Sequence, residues 1–251
     1  MIIDTNCSLG EWPFRRLACS TASDFVSLMD RHGVTQAWVG AFEGIFYRDM
    51  AAANALLRER ISGHEDRLIP WATINPNFPR WENDLREVMG EGMAGVRLYP
   101  NYHGYDLADD CACDLLGQLA EQQVSVAIYH KVVDERLHHW HCLVPPTELD
   151  LEALLDRFPN LTLLLCGFGL PLGEQQADLI RAHRVYLEIS RVEGVEGVRH
   201  LCDAIGSDRV LLGSHAPYFY MQAAHLKIVE AGLGEDDRER VLYRNANDIG
   251  L

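Results

Sequence analysis

At 251 residues, with 48% apolar and 24% charged side chains, the chain is long enough to bury a large core, yet no apolar stretch approaches the roughly 18 residues of a membrane span. Its formal charge of −15 repels phosphate backbones and anionic lipid, and its basic residues are scattered, which excludes nucleic acid and membrane surfaces as expected partners. Seven cysteines without a C-x-x-C pair read as reduced thiols, and the opening MIIDTNCSLGEW carries no basic, apolar and small-residue succession, so a cytoplasmic location is expected.

In chain order, strand-like apolar runs occupy 1–4, 34–41, 67–74, 93–99, 124–130, 161–166, 185–189 and 210–213. Most are near-continuous, as suits strands buried on both faces. Patterns with a helical apolar stripe fill 23–32, 49–61, 80–89, 109–122, 148–158, 172–183, 195–204 and 220–231, and 235–243 adds a terminal helix. Thr147 precedes Asp150 at capping spacing, and Gly33, Gly63 and Gly232 stand just past helix patterns. Eight alternations predict an α/β fold of the (β/α)8 TIM-barrel type, one domain over 1–251, rather than a doubly wound sheet.

In such a barrel the carboxyl ends of the strands open into one mouth, where loops carry the chemistry. The polar residues there are Asn6, Cys7, Ser8, Asn75, Asn101, Tyr102, His103, His130, Cys166, Glu188, Ser190, Ser214 and His215. His130, Cys166 and His215 end strands five, six and eight, and imidazole and thiolate are the donors that hold zinc, so three ligands with one open position are one reading. Ordinary core packing of the thiol and hydrogen-bonded histidines are the other. The loop from Asp134 to His141 gathers Asp134, Glu135, Arg136, His138, His139 and His141, where Arg136 can grip a carboxylate and His139 or His141 can move protons. A solvated loop making an oligomer contact reads equally well. Trp12, Phe14, Arg15 and Arg16 set aromatics beside guanidinium groups after the first strand, which suits either an anionic substrate or a covering loop. Asn101, Tyr102 and His103 can bind a polar ligand or simply form a turn. Neither a G-x-G-x-x-G nor a P-loop nor a G-x-S-x-G elbow occurs.

The succession of strand ends resembles the amidohydrolase-related family of metal-dependent hydrolases and decarboxylases. The resemblance is carried by Ile2 to Gly10, by Gly95-Val96-Arg97-Leu98-Tyr99-Pro100, by Arg209 to Pro217 and by Asn245-Ala246-Asn247. Within it the chain is similar to a bacterial subgroup sharing Trp12 to Arg16, Asn101 to Tyr105, Asp134-Glu135-Arg136 with His139, and Gly213 to Pro217. Metal-binding members place His-x-His on the first strand, His on the fifth and sixth, and Asp on the eighth. This chain has Asn6-Cys7-Ser8, His130, Cys166 and His215, so only His130 matches.

Some members of the superfamily, among them lactonases acting on dicarboxylated rings, work without metal. The resemblance therefore implies a hydrolase of a small anionic lactone, ester or amide. His215 would be the general base, Arg136 or Arg15 the carboxylate binders, and His130 and His139 the groups that polarise the carbonyl or protonate the leaving oxygen. One divalent ion, zinc foremost, on His130, Cys166 and His215 is the alternative, giving a metal-dependent hydrolase or decarboxylase. A barrel that binds a metabolite or partner without catalysis is the third reading. The acidic charge and aromatic loops permit a homo-oligomer.

Overall fold

Strand pairing begins at Ile3, and each later apolar run adds one parallel strand beside the last. The computed structural model describes every residue except 135, 137, 138, 141, 250 and 251. The strands are β1 (Ile3–Leu9), β2 (Gln36–Ala41), β3 (Leu68–Thr73), β4 (Gly95–Leu98), β5 (Ser125–Tyr129), β6 (Leu163–Cys166), β7 (Val185–Glu188) and β8 (Val210–Leu211), paired in that order. The sheet then returns to its start. Thr5 N–H donates to Leu212 O at 2.8 Å, His215 N–H to Asn6 O at 2.7 Å and Ser8 N–H to Ala216 O at 2.9 Å. The fold is the (β/α)8 TIM barrel that the eight alternations predict.

The helices are α1 (Ala22–His32), α2 (Glu43–Phe46), α3 (Met50–Ile61), α4 (Trp81–Gly90), α5 (Pro100–His103), α6 (Asp110–Glu121), α7 (Leu151–Arg157), α8 (Glu174–Ala182), α9 (Gly197–Ile205), α10 (Met221–Glu230), α11 (Glu235–Glu239) and α12 (Asn245–Ile249). None among the described residues is long and apolar enough to cross a membrane. Local chemistry sets their ends. Thr21 Oγ1 accepts from Asp24 N–H to start α1, and Gly33, at φ 67°, closes it in the left-handed conformation that a Cβ disfavours. Asp150, not Thr147, caps α7, with Oδ1 accepting from Ala153 N–H at 3.0 Å. Thr147 is spent on β5 instead, its hydroxyl donating to Tyr129 O at 2.8 Å. The one-turn helices α2 and α5 lie in loops of the mouth and are too short to show an apolar period.

Period-two alternation divides the core into two shells. Trp38, Trp71, Tyr99, Ala127, Tyr129, Leu164, Cys166 and Leu211 fill the barrel interior. Val96, Leu98, Val126, Ile128, Leu163 and Leu165 face the helices. β1 departs from simple alternation: it is longer than its apolar run, because Thr5, Asn6 and Ser8 are polar yet paired. A bulge also separates Asp4, opposite Ala37, from Cys7, opposite Val39, so three steps of β1 match two of β2. Ile3 consequently lies in the interior shell whereas Cys7 and Leu9 lie in the outer one.

Candidate active site

The floor of the mouth is laid by interior-facing residues. Tyr129 O–H donates to Asn6 Oδ1 at 2.7 Å and its ring stacks on Tyr99 at 4.5 Å. Glu188, at the end of β7, is fully buried and accepts from Gly167 N–H at 2.7 Å, Ser190 N–H at 2.6 Å and Ser190 Oγ at 2.8 Å. Three donors converging on one carboxylate suit its ionised form, although burial pushes its pKa upward. Gly213 makes the room: a Cβ there would stand 2.5 Å from Glu188 Oε2.

His215 follows β8 with φ 57°, a left-handed conformation that costs a non-glycine residue on the order of 1 kcal/mol and concentrates at functional sites. Its Nε2 lies 2.9 Å from Val132 O. A carbonyl only accepts, so Nε2 carries the proton and Nδ1 the lone pair. Nδ1 is buried and meets no partner. Burial first, and then the charges of Arg97, Arg191 and Arg15, pull the ring's pKa down to about 4 against the opposing bond to Val132, leaving a neutral imidazole near pH 7. The rings of Tyr218 and Phe219 flank it at 5.3 and 5.2 Å.

Beside His215 a cavity of about 560 Å³ opens between the loops after β1, β5, β7 and β8. Arg15, Arg16, Arg136 and Lys227 line it, against the acids Asp134 and Glu193, which makes this corner cationic in a strongly acidic chain. Arg15 Nη2 donates to Tyr218 O at 2.6 Å, with the guanidinium 4.5 Å over the Tyr218 ring. Arg136 grips Asp134 through Nε at 2.9 Å and Nη2 at 2.6 Å, and that fork holds the carboxyl down to about 2. Lys227 Nζ donates to Ser190 O at 2.8 Å and Ile189 O at 3.2 Å. Arg15, Asp134 and Arg136 thus line one cavity.

The proposed metal ligands do not converge. Ile128 and His130 share a strand face, so His130 turns toward the helices; it stacks on Phe168 at 4.6 Å and donates from Nδ1 to Thr147 O at 2.8 Å. Cys166 takes the opposite face, beside Tyr129 in the interior, and burial pushes its thiol well above the usual range, with Glu188 adding to that and Arg97 opposing. His215 points its protonated nitrogen at a carbonyl. Among the described residues, no group of three or more His, Cys, Asp or Glu side chains is poised to hold a metal ion. The donor set of His130, Cys166 and His215 therefore does not fit zinc, because strand parity turns His130 toward the helices and away from the other two, leaving fewer than three converging ligands.

Other anticipated residues serve as braces. Asn101 Nδ2 donates to Pro145 O at 2.8 Å, Tyr102 packs edge-on against Phe46, and His103 Nε2 donates to Gly44 O at 2.9 Å. Burial holds His103 down to about 4. His139 stacks on Phe14 at 5.0 Å, above a cluster in which Trp12 meets Phe42, Phe46 and Tyr218 edge to face. Glu135, His138 and His141 lie outside the described residues. Lys227 and Tyr218 are additions. Lys227 sits inside a helical stripe and gives no periodic signal, whereas Tyr218 adjoins the Ser214-His215-Ala216-Pro217 turn and is legible by adjacency.

Two neutral buried histidines imply a pH dependence of stability. Their pKa values fall from 6.5 to about 4 on folding, so the unfolded chain binds protons first. Stability is full above pH 6.5 and is lost as pH falls toward 4, by about 3 kcal/mol for each ring. Urea midpoints measured across that window should drop steeply, and a level profile would contradict the buried neutral rings.

A family model described as Amidohydrolase matches residues 13–249. No curated protein sequence matches the chain. Among solved structures, 5-carboxyvanillate decarboxylase from Sphingomonas paucimobilis is 15% identical with a TM-score of 0.78, covering 99% of this chain and 98% of that one. A dihydroxybenzoic acid decarboxylase from Polaromonas, with bound manganese and the inhibitor 2-nitroresorcinol, is 16% identical with a TM-score of 0.74, covering 99% and 96%. A probable 2-pyrone-4,6-dicarboxylic acid hydrolase from Acinetobacter baumannii, with citric acid bound, is 15% identical with a TM-score of 0.67, covering 99% and 98%. At these identities the likeness is one of fold.

Proposed function

The chain belongs to the amidohydrolase family, and on that premise we propose that it is a hydrolase of a small carboxylate-bearing lactone, ester or amide. The observation that carries this is His215: a neutral imidazole whose Nδ1 lone pair is unshared, next to a cavity lined by Arg15, Arg136 and Lys227. His215 Nδ1 takes a proton from water, and the resulting hydroxide adds to the acyl carbon. Collapse of the tetrahedral adduct breaks the bond to the leaving oxygen or nitrogen, which recovers the proton from His215. Arg15, Arg136 and Lys227 supply cationic donors for the carboxylate. Protonation of the leaving group thus falls to His215 itself, since His130 faces the helices. No step is routed through a metal.

Lactones bearing carboxylates are the first compounds to test, because one relative of similar fold is named as a hydrolase of 2-pyrone-4,6-dicarboxylic acid and holds citric acid. In a chelator-treated screen of such lactones, turnover is expected, and its absence throughout would defeat the reading. Lys227→Met should raise KM about tenfold for a carboxylated substrate while kcat changes little, since it removes a charge that acts in ground state and transition state alike. A fall in kcat at constant KM would instead place Lys227 among the reacting groups. A second reading, a barrel that binds such an anion without turning it over, is favoured by the aromatic cluster over His215, and ligand-raised Tm without product would establish it.

A further inference from the structure

Between β6 and α8 the chain runs Gly167-Phe168-Gly169-Leu170-Pro171-Leu172, and Phe168, Leu170 and Leu172 stay only partly buried, as does Leu149 ahead of α7. Apolar side chains held open to water at the rim of a barrel mark a surface that something else covers. Phe168, Leu172 and Leu149 join Pro145, Pro146 and Ile180 in walling a cavity of about 520 Å³. His130 is a fixed part of that wall, stacked on Phe168 at 4.6 Å and tied through Nδ1 to Thr147 O at 2.8 Å. The cavity has neighbours. His130 and Gly169 also line a second one of about 370 Å³, with Lys131, Arg191 and Glu193. Glu193 in turn lines the cationic cavity beside His215. A Cβ on Gly169 would stand 3.3 Å from Arg191 O, so the loops after β6 and β7 lie close there.

Shared walls thus set three cavities in a row, cationic at one end, polar in the middle and apolar at the other. We propose that they form one elongated site whose substrate class is an amphipathic carboxylate. Arg15, Arg136 and Lys227 hold the charged head, and an unbranched aliphatic tail runs past His130 into the apolar cavity. The middle cavity is the smallest of the three, which suits a thin chain rather than a ring. Leucine, isoleucine and proline walls at the far end suit the same chain, because they gain by taking methylenes out of water. The inference rests on the proposed carboxylate site and extends it by the tail.

Straight-chain carboxylates from butanoate to dodecanoate, titrated into the full chain by calorimetry below their micellar concentrations, test it. None of them can be hydrolysed, so the result does not depend on His215. Affinity should climb about three- to fourfold for each methylene that enters the apolar cavity. A flat series overturns the tail and leaves the role of the cationic cavity intact. Straight-chain alcohols of the same lengths test the head: a climb shown equally by acids and alcohols overturns the carboxylate grip, and with it the substrate class. Leu172→Trp fills the apolar cavity, so butanoate and dodecanoate should then bind alike, and a climb that persists in this variant puts the tail elsewhere and overturns the proposal. Should Leu172→Trp fail to fold, Glu148→Trp, at an exposed position of the same wall, makes the same test.

Discussion

Replacing His215 by glutamine is expected to cut the proposed hydrolysis by orders of magnitude and to leave the fold in place. A glutamine amide can still donate to Val132 O, as Nε2 does now at 2.9 Å, but it has no basic lone pair where Nδ1 stands. General-base catalysis by a positioned side chain is worth about 10²- to 10⁴-fold, so kcat/KM for a carboxylated lactone should fall by that factor. The wild-type profile should lose activity only as pH approaches about 4, where the ring takes up a proton. Circular dichroism and Tm separate loss of the base from loss of the fold. A variant within about tenfold of wild type would remove His215 from the mechanism.

Glu188→Ala produces the largest loss of stability expected of a single substitution in the mouth. The carboxylate accepts from Gly167, from the Ser190 backbone and from the Ser190 hydroxyl, so its removal orphans donors on two loops at once. Taking away one member of a buried, hydrogen-bonded charge arrangement costs about 3–5 kcal/mol. Gly213 cannot fill the space left behind, so a cavity persists where the side chain lay. The urea midpoint is the measurement, and a loss under about 1 kcal/mol would mean that solvent already satisfies these donors.

The barrel was legible because eight apolar runs and eight helical stripes need no tertiary knowledge to be counted. What escaped was what depends on facing and on local competition. His130 and Cys166 each end a strand, yet one sits in register with Ile128 on the outer face and the other beside Tyr129 on the inner face. That parity turns on where a strand starts, which an apolar run leaves open by a residue or two. Thr147 matched a capping pattern, but the Tyr129 carbonyl offered its hydroxyl a closer partner. Arg15, Asp134 and Arg136 reach one cavity because the loops after β1 and β5 open into the same mouth whatever the register.

The bulge in β1 makes chain length there as consequential as side-chain identity. Between Asp4 and Cys7 the strand carries one residue more than β2. Deleting a single codon in this stretch would bring the strand back into step with β2, with Cys7 still opposite Val39, and would take away Thr5 or Asn6, whose backbone bonds to Leu212 and His215 close the barrel. Point substitutions there keep those backbone bonds, so gene variants of this chain should accumulate replacements between Asp4 and Cys7 while excluding deletions.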